Sequence, residues 1–173
     1  EGTAIAPLNA RMIAENEVWK GYGLVAGWTT LEGYWKAFLR ARPTINLGTF
    51  VGAGGVRQLV VGDDDRKATP AELLAMEKAV AEAMEDGALG LSTSLIYTPG
   101  RFASTDEIIA LARVAARYGG IYITHQRSEE EGIDQSLDEV FRIAREVPIA
   151  AEIYHLKTAG RAQWGRMPEV LKR

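Results

Sequence analysis

The sequence predicts an α/β fold built around a parallel sheet, and three observations predict it. From residue 29 onward, apolar stretches typical of strands alternate with amphipathic stretches typical of helices. The strands are continuously apolar, as expected of a parallel sheet that is covered on both faces. Two of them end in histidine, at His125 and His155, and lie about 30 residues apart, which is the length of one βα unit.

The helices are predicted from local signals at their ends. Three of them open with Ser or Thr followed three residues later by Glu, the pattern of a capping box: Thr29 with Glu32, Thr69 with Glu72, and Ser104 with Glu107. In chain order we predict a helix from residue 29, a strand over 45–51, a helix from 69, a strand over 88–95, a helix from 104, a strand over 121–125, a helix over 133–147, a strand over 149–155 and the start of a helix at 167–173. Residues 52–69, which begin with "GAGG", are predicted as a long loop with no helix directly after the glycines.

Composition excludes several classes of protein. The chain has 173 residues, 47% of them hydrophobic and 25% charged, enough for one domain with a core. A net charge of −3 without a clustered basic surface argues against a nucleic-acid partner. No apolar run reaches the roughly 20 residues that span a bilayer, and the opening residues lack a basic region and an apolar core, so we expect neither a signal peptide nor a membrane partner. The absence of cysteine favours a cytoplasmic location and leaves only His and carboxylate ligands for a metal.

The two histidines of the chain are its candidate metal ligands. In parallel α/β folds the active site lies at the carboxyl ends of the strands, where His125 and His155 are predicted. If their strands are neighbours, the two imidazoles can share one zinc ion. The alternative is that each histidine is hydrogen-bonded separately at the end of its strand.

Several polar residues flank this predicted edge of the sheet. Arg127 and Lys157 each follow a histidine by two residues and are suited to an anionic substrate group, although solvated loop charges would look the same. The hydroxyl-rich stretch "STSLIY", which ends at Tyr97, either binds substrate or satisfies the backbone of a tight loop. Phosphate-loop, calcium-loop and serine-hydrolase motifs are absent.

Longer motifs resemble a known family. The blocks "GLSTSLIYTPG", "THQR" and "HLK", together with "APLN" and "RPTINLGTFVGAGGVR", resemble the N-acyl-D-amino-acid deacylases (D-aminoacylases) of the amidohydrolase superfamily. The resemblance covers nearly the whole chain. It implies a partial (β/α)₈ TIM-type barrel, roughly from the end of strand 2 to helix 6, with residues 1–173 forming a single partial metal-dependent hydrolase barrel domain. Without it, a doubly wound sheet and a (β/α)₈ barrel both remain open. A complete barrel needs roughly 200–250 residues or more, so this chain could hold only about half of one.

The resemblance also implies a function and a set of site residues. It implies zinc-dependent hydrolysis of the amide bond of N-acyl-D-amino acids, with Glu1, His125 and His155 as metal ligands. Tyr97 and Lys157, with Arg127 as a further candidate, fall where the family binds the substrate. Glu1 takes a position that is cysteine in some members.

Two departures from the family pattern leave alternatives open. The His-x-His motif of the family's first strand is absent, and the aspartate expected as general base lies outside this sequence, so no catalytic residue is assigned within it. We therefore expect an internal fragment of a deacylase, with self-association through open sheet edges as a further expectation. The alternatives are a dihydroorotase- or hydantoinase-like cyclic amidase, and a non-catalytic fragment or assembly module.

Overall fold

The computed structural model describes Gly2 and residues 5–173, and its centre is a four-stranded parallel sheet. The strands are β1 (Val51–Gly52), β2 (Gly90–Ser94), β3 (Ile121–His125) and β4 (Ala151–Ile153). They lie side by side in sequence order, each paired in parallel with the next. This order is that of a barrel wall, whereas a doubly wound sheet reverses its order at a switch point. The predicted α/β fold with a parallel sheet is confirmed.

Helices surround and connect these strands. In chain order they are α1 (Ala10–Glu15), α2 (Glu17–Gly21), α3 (Leu31–Arg40), α4 (Ala53–Val60), α5 (Pro70–Glu85), α6 (Thr105–Arg117), α7 (Ile133–Glu146) and α8 (Met167–Val170). Short 3₁₀ turns occur at Gly100–Phe102 and Arg161–Gln163. In the described part of the chain, none of these helices is long and apolar enough to cross a membrane.

The predicted helix starts differ in how well they match. Thr69 caps α5 through a complete capping box, because its hydroxyl accepts from the Glu72 N–H and the Glu72 carboxylate accepts from the Thr69 N–H. Ser104 caps α6 as predicted, but the side chain of Glu107 is turned away from the cap. The start predicted at residue 29 is wrong by one position, since Thr30 is the cap of α3.

The largest error of the sequence prediction concerns the segment after β1. The strand predicted over 45–51 is only Val51–Gly52, and α4 begins directly after it, where a loop was expected. Glycines disfavour helix formation, which hid this helix. The position of Gly54 requires glycine, because an added Cβ would lie 2.8 Å from the carbonyl oxygen of Gly2. Tertiary packing, rather than intrinsic helix propensity, stabilises α4, since Val56 and Arg57 are completely buried.

The core lies between the sheet and α4 to α7. Its members include fully buried apolar side chains from the strands and from the helices that follow them: Val51, Val56, Met76, Val80, Leu91, Leu111 and Ile143. A buried ion pair crosses this core from α4 to α6, where Arg57 Nη1 lies 2.7 Å and 2.9 Å from the two carboxylate oxygens of Glu107. Arg57 also donates to the carbonyl oxygens of Asp64 and Arg66, so this one side chain fixes the loop that precedes α5.

Candidate metal centre

His125 and His155 lie side by side at the carboxyl edge of the sheet. Strands β3 and β4 are neighbours, with Thr124 opposite Ile153, so the residues that follow each strand meet at one edge. The two imidazole rings are 4.6 Å apart between centroids and nearly perpendicular, at 79°. The side chain of His125 is buried, while that of His155 is 38% exposed. The structure thus brings the two predicted ligands within reach of one metal ion.

The backbone at His155 departs from the predicted strand. Strand β4 ends at Ile153 rather than at residue 155, and His155 belongs to the turn that follows it. Its φ of +33° lies in the left-handed region, which non-glycine residues rarely adopt. Such a conformation costs on the order of 1–3 kcal/mol and concentrates at functional sites. The turn therefore holds the imidazole beside His125 against a local conformational preference.

Glu129 is a member of this cluster that the sequence did not reveal. Its buried carboxylate oxygen Oε1 lies 3.6 Å from His125 Nε2 and 3.3 Å from His155 Nδ1. Ligand atoms of the three residues all lie within 4.8 Å of one another. Ligands about 2.0–2.2 Å from a tetrahedral zinc stand about 3.3 Å apart, so both contacts of Oε1 are short enough either for a shared ion or for a carboxylate that supports the two imidazoles.

The position of Glu129 in the sequence explains why it was missed. It is the first of three consecutive glutamates, and Glu130 and Glu131 are exposed. Nothing in the local pattern says which of the three turns inward. The only available signal is its spacing of four residues from His125, which carries no meaning outside a helix.

Lys157 also lies at the cluster. Its Nζ is 2.5 Å from Glu129 Oε1 and 3.0 Å from His155 Nδ1. The side chain of Lys157 is 50% exposed, so the site is open to solvent on this side. The structure therefore places Lys157 next to the histidines, where an anionic group of a substrate could reach it.

Tyr97 approaches the cluster from the neighbouring strand. It follows β2, and its ring meets that of His125 edge-on at 5.5 Å and 64°. The side chain is 61% exposed, which leaves the phenol accessible. Tyr97 also lines a cavity of about 250 Å³, together with Gly2, Gly54, Ser94, Thr98, Pro99 and Gly100. The hydroxyl-rich segment therefore forms one wall beside His125.

Arg127 has a different set of contacts. Its Nε and Nη2 form a bidentate pair with the Glu139 carboxylate at 3.0 and 2.9 Å. The remaining described bonds of the guanidinium go to the carbonyl oxygens of Arg101 and Ala103. Through these contacts Arg127 joins the loop after β2 to α7. The contact with substrate predicted for Arg127 stays a prediction.

The third predicted ligand, Glu1, lies outside the described residues. Its neighbour Gly2 packs at the end of β2, where an added Cβ would lie 2.5 Å from Ser94 Cβ. The Gly2 carbonyl accepts a hydrogen bond from Gly55 N at 3.3 Å. The role of Glu1 stays a prediction.

A polar layer supports the site from behind. Thr93 Oγ1 bonds to Thr124 Oγ1 at 2.7 Å and to the Tyr122 hydroxyl at 2.9 Å, all buried. Burial raises the pKa of Tyr122 to about 12, which keeps the phenol neutral. The network joins β2 to β3 immediately before Ser94 and His125, and so fixes the strand ends on which the cluster depends.

The donor set fits a zinc ion. Imidazole nitrogens and carboxylate oxygens are the ligands that zinc takes from proteins when cysteine is absent. His125 and His155 supply the imidazoles, and either Glu129 or the predicted ligand Glu1 can supply the carboxylate. A parallel α/β wall with such a cluster at its carboxyl edge is the arrangement expected of a metal-dependent hydrolase.

Comparison with known proteins agrees with this class. No family model matches the chain. D-aminoacylase from Alcaligenes xylosoxydans xylosoxydans is 42% identical over 134 residues, covering 77% of this chain and 28% of that protein. A crystal structure of a D-aminoacylase described as defining a novel subset of amidohydrolases has a TM-score of 0.81 at 39% identity, covering 84% of this chain and 31% of its own. N-acyl-D-glutamate deacylase from Bordetella bronchiseptica, solved with zinc and a phosphonate inhibitor, has a TM-score of 0.85 at 32% identity. That match covers 98% of this chain and 35% of the deacylase chain.

These matches show that the chain is similar to amidohydrolases, and its four-stranded sheet corresponds to part of their (β/α)₈ barrel. Within that class it is a relative of the D-aminoacylases and N-acyl-D-amino-acid deacylases. The predicted resemblance is confirmed. The chain spans between 28% and 36% of the length of the proteins it matches.

Proposed function

We propose that the protein to which this chain belongs hydrolyses the amide bond of N-acyl-D-amino acids, using zinc held by His125 and His155. The observation that carries the proposal is the cluster of the two imidazoles with Glu129, at the carboxyl edge of a sheet related to those of D-aminoacylases. A bound zinc ion would supply Lewis-acid polarisation of the amide carbonyl and an acidic water near neutral pH.

The residues of this chain bind and orient the substrate in this proposal. The Lys157 ammonium and the accessible Tyr97 hydroxyl lie on either side of the histidines and hold the substrate α-carboxylate. A carboxylate held at two points fixes the amide relative to the metal ligands and thereby favours one configuration at the α-carbon. Arg127 fixes the loop after β3, which lies between Tyr97 and Lys157 in the order of the strands, through its ion pair with Glu139 on α7.

Two parts of the site remain expectations from the family resemblance. Glu1 is proposed as a further metal ligand, and the proton-accepting aspartate is expected from a part of the protein outside this sequence. We propose that residues 1–173 form one partial barrel domain. The cytoplasmic location and self-association through β1 and β4 stay predictions.

A hydrolysis assay with three substrate classes tests the proposal. The zinc-loaded protein is expected to release amino acid from N-acyl-D-amino acids, with far lower rates on the L-enantiomers and on cyclic imides or hydantoins. Preferential cleavage of the cyclic substrates would instead support a cyclic amidase. A cooperatively folded, zinc-loaded protein without turnover of any of them would support a non-catalytic module.

Replacing Lys157 by alanine tests the assigned carboxylate contact. We expect K157A to raise KM for an N-acyl-D-amino acid about 10- to 100-fold, the range for losing a charge-assisted hydrogen bond, with a smaller fall in kcat. The exposed Lys172 provides a matched control, and K172A is expected to leave both constants unchanged. A collapse of kcat at constant KM would contradict the anchoring role.

A further inference from the structure

We propose that Glu129 is a positioning residue for Lys157, and that its carboxylate holds the ammonium where the substrate carboxylate binds. The inference rests on the proposed function, which assigns Lys157 to that carboxylate. It gives the buried glutamate a role in substrate recognition that the sequence motifs do not assign.

The distances favour Lys157 as the principal partner of Glu129. The contact from Glu129 Oε1 to Lys157 Nζ is 2.5 Å, against 3.3 Å to His155 Nδ1 and 3.6 Å to His125 Nε2. A buried carboxylate requires a compensating charge or several hydrogen bonds. Lys157 supplies the charge and one hydrogen bond, because its ammonium lies within hydrogen-bonding distance of Oε1.

The backbone holds the two partners together. Ala159 N donates to the carbonyl oxygen of Glu129 at 2.7 Å, which ties the segment after His155 to the loop after β3. Ser128 N donates to Ser136 Oγ at 2.8 Å, which anchors the same loop to α7. Glu129 therefore has a fixed place, and Lys157 is tethered two residues from one of these bonds.

A lysine at this position needs such a partner. Its four-carbon side chain is flexible and its ammonium is strongly hydrated, so a half-exposed lysine samples many rotamers in solvent. An ammonium has three N–H donors, and the short contact with the Glu129 carboxylate uses one of them. A substrate carboxylate can take another without displacing Glu129.

Removing the charge of Glu129 tests the inference. We expect E129Q to raise KM for an N-acyl-D-amino acid about tenfold, as for a weakened charge-assisted contact, while kcat changes little and zinc content is unchanged. The matched control is E130Q, which removes the same charge from the adjacent exposed residue and is expected to leave KM unchanged. Thermal unfolding of each variant checks that the fold is retained.

Two further readouts separate positioning from a structural role. The wild-type preference for the free acid over the corresponding neutral α-carboxamide should fall by about the same factor in E129Q as KM rises. Because Glu129 acts through Lys157, the double variant E129Q/K157A should raise KM no more than K157A alone.

Each other outcome overturns the inference. Loss of zinc from E129Q would make Glu129 a metal ligand, and additive effects in the double variant would show that it acts independently of Lys157. Equal KM values for E129Q and E130Q would show that Glu129 does not position Lys157, and would leave the proposed function intact. A zinc-loaded wild-type protein without activity on N-acyl-D-amino acids would overturn the proposed function and this inference together.

Discussion

Replacing Glu107 by glutamine is expected to lower the free energy of unfolding by about 3 kcal/mol, at the lower end of the range for breaking a buried ion pair. Arg57 is completely buried, and its guanidinium has both Glu107 oxygens within 2.9 Å. Burial raises the pKa of the Glu107 carboxyl and the Arg57 guanidinium opposes this effect. Without the carboxylate, the guanidinium charge remains in the core and lacks its main compensation.

Chemical denaturation at neutral pH measures this effect, with Glu82 as the control. Glu82 pairs with Lys78 at 3.6 Å on the surface, where both side chains are at least 60% exposed. Such pairs contribute about 0–1 kcal/mol, so E82Q should be close to wild type. Equal unfolding free energies for E107Q and E82Q would show that the buried pair is not required for stability.

Replacing His125 or His155 by glutamine is expected to lower kcat/KM on an N-acyl-D-amino acid by at least about a thousandfold, since a catalytic metal contributes several kcal/mol to the rate. Glutamine keeps much of the size and polarity of the side chain but removes the imidazole ligand. The same loss is expected at both positions because the rings lie 4.6 Å apart and are proposed to bind the same ion.

The neighbouring aromatic residue provides a control for the turn. Tyr154 stacks on His155 at 6.2 Å, and Y154F keeps that ring while removing only its hydroxyl. We expect Y154F to keep most of the wild-type kcat/KM, because the ring that stacks on His155 is retained. Retention of activity in both histidine variants would contradict their role as ligands.

The parts of the fold that were predictable depend on local signals. The Thr69 and Ser104 caps and the strand ending at His125 involve residues within a few positions of one another, so the sequence contains the information. Both histidines were placed together for a similar reason, because consecutive βα units bring strand ends to one edge.

The remaining parts depend on contacts between distant segments. Helix α4 was missed because its glycines lower helix propensity, while the packing that stabilises it comes from Gly2, α6 and the sheet. The bond from Arg127 to Glu139 depends on how α7 lies against its loop. Glu129 joins the site because one of three adjacent glutamates turns inward toward Lys157, 28 residues away.

The most direct test of the central claim is the zinc content of the purified protein, compared between the native sequence and H125A. We predict that the variant retains about one zinc ion fewer per molecule, because we propose that His125 and His155 bind one ion together. A circular dichroism spectrum and an unfolding curve like those of the native protein would show that the loss is local. An equal zinc content in the two proteins would contradict the assignment of this cluster as the metal centre.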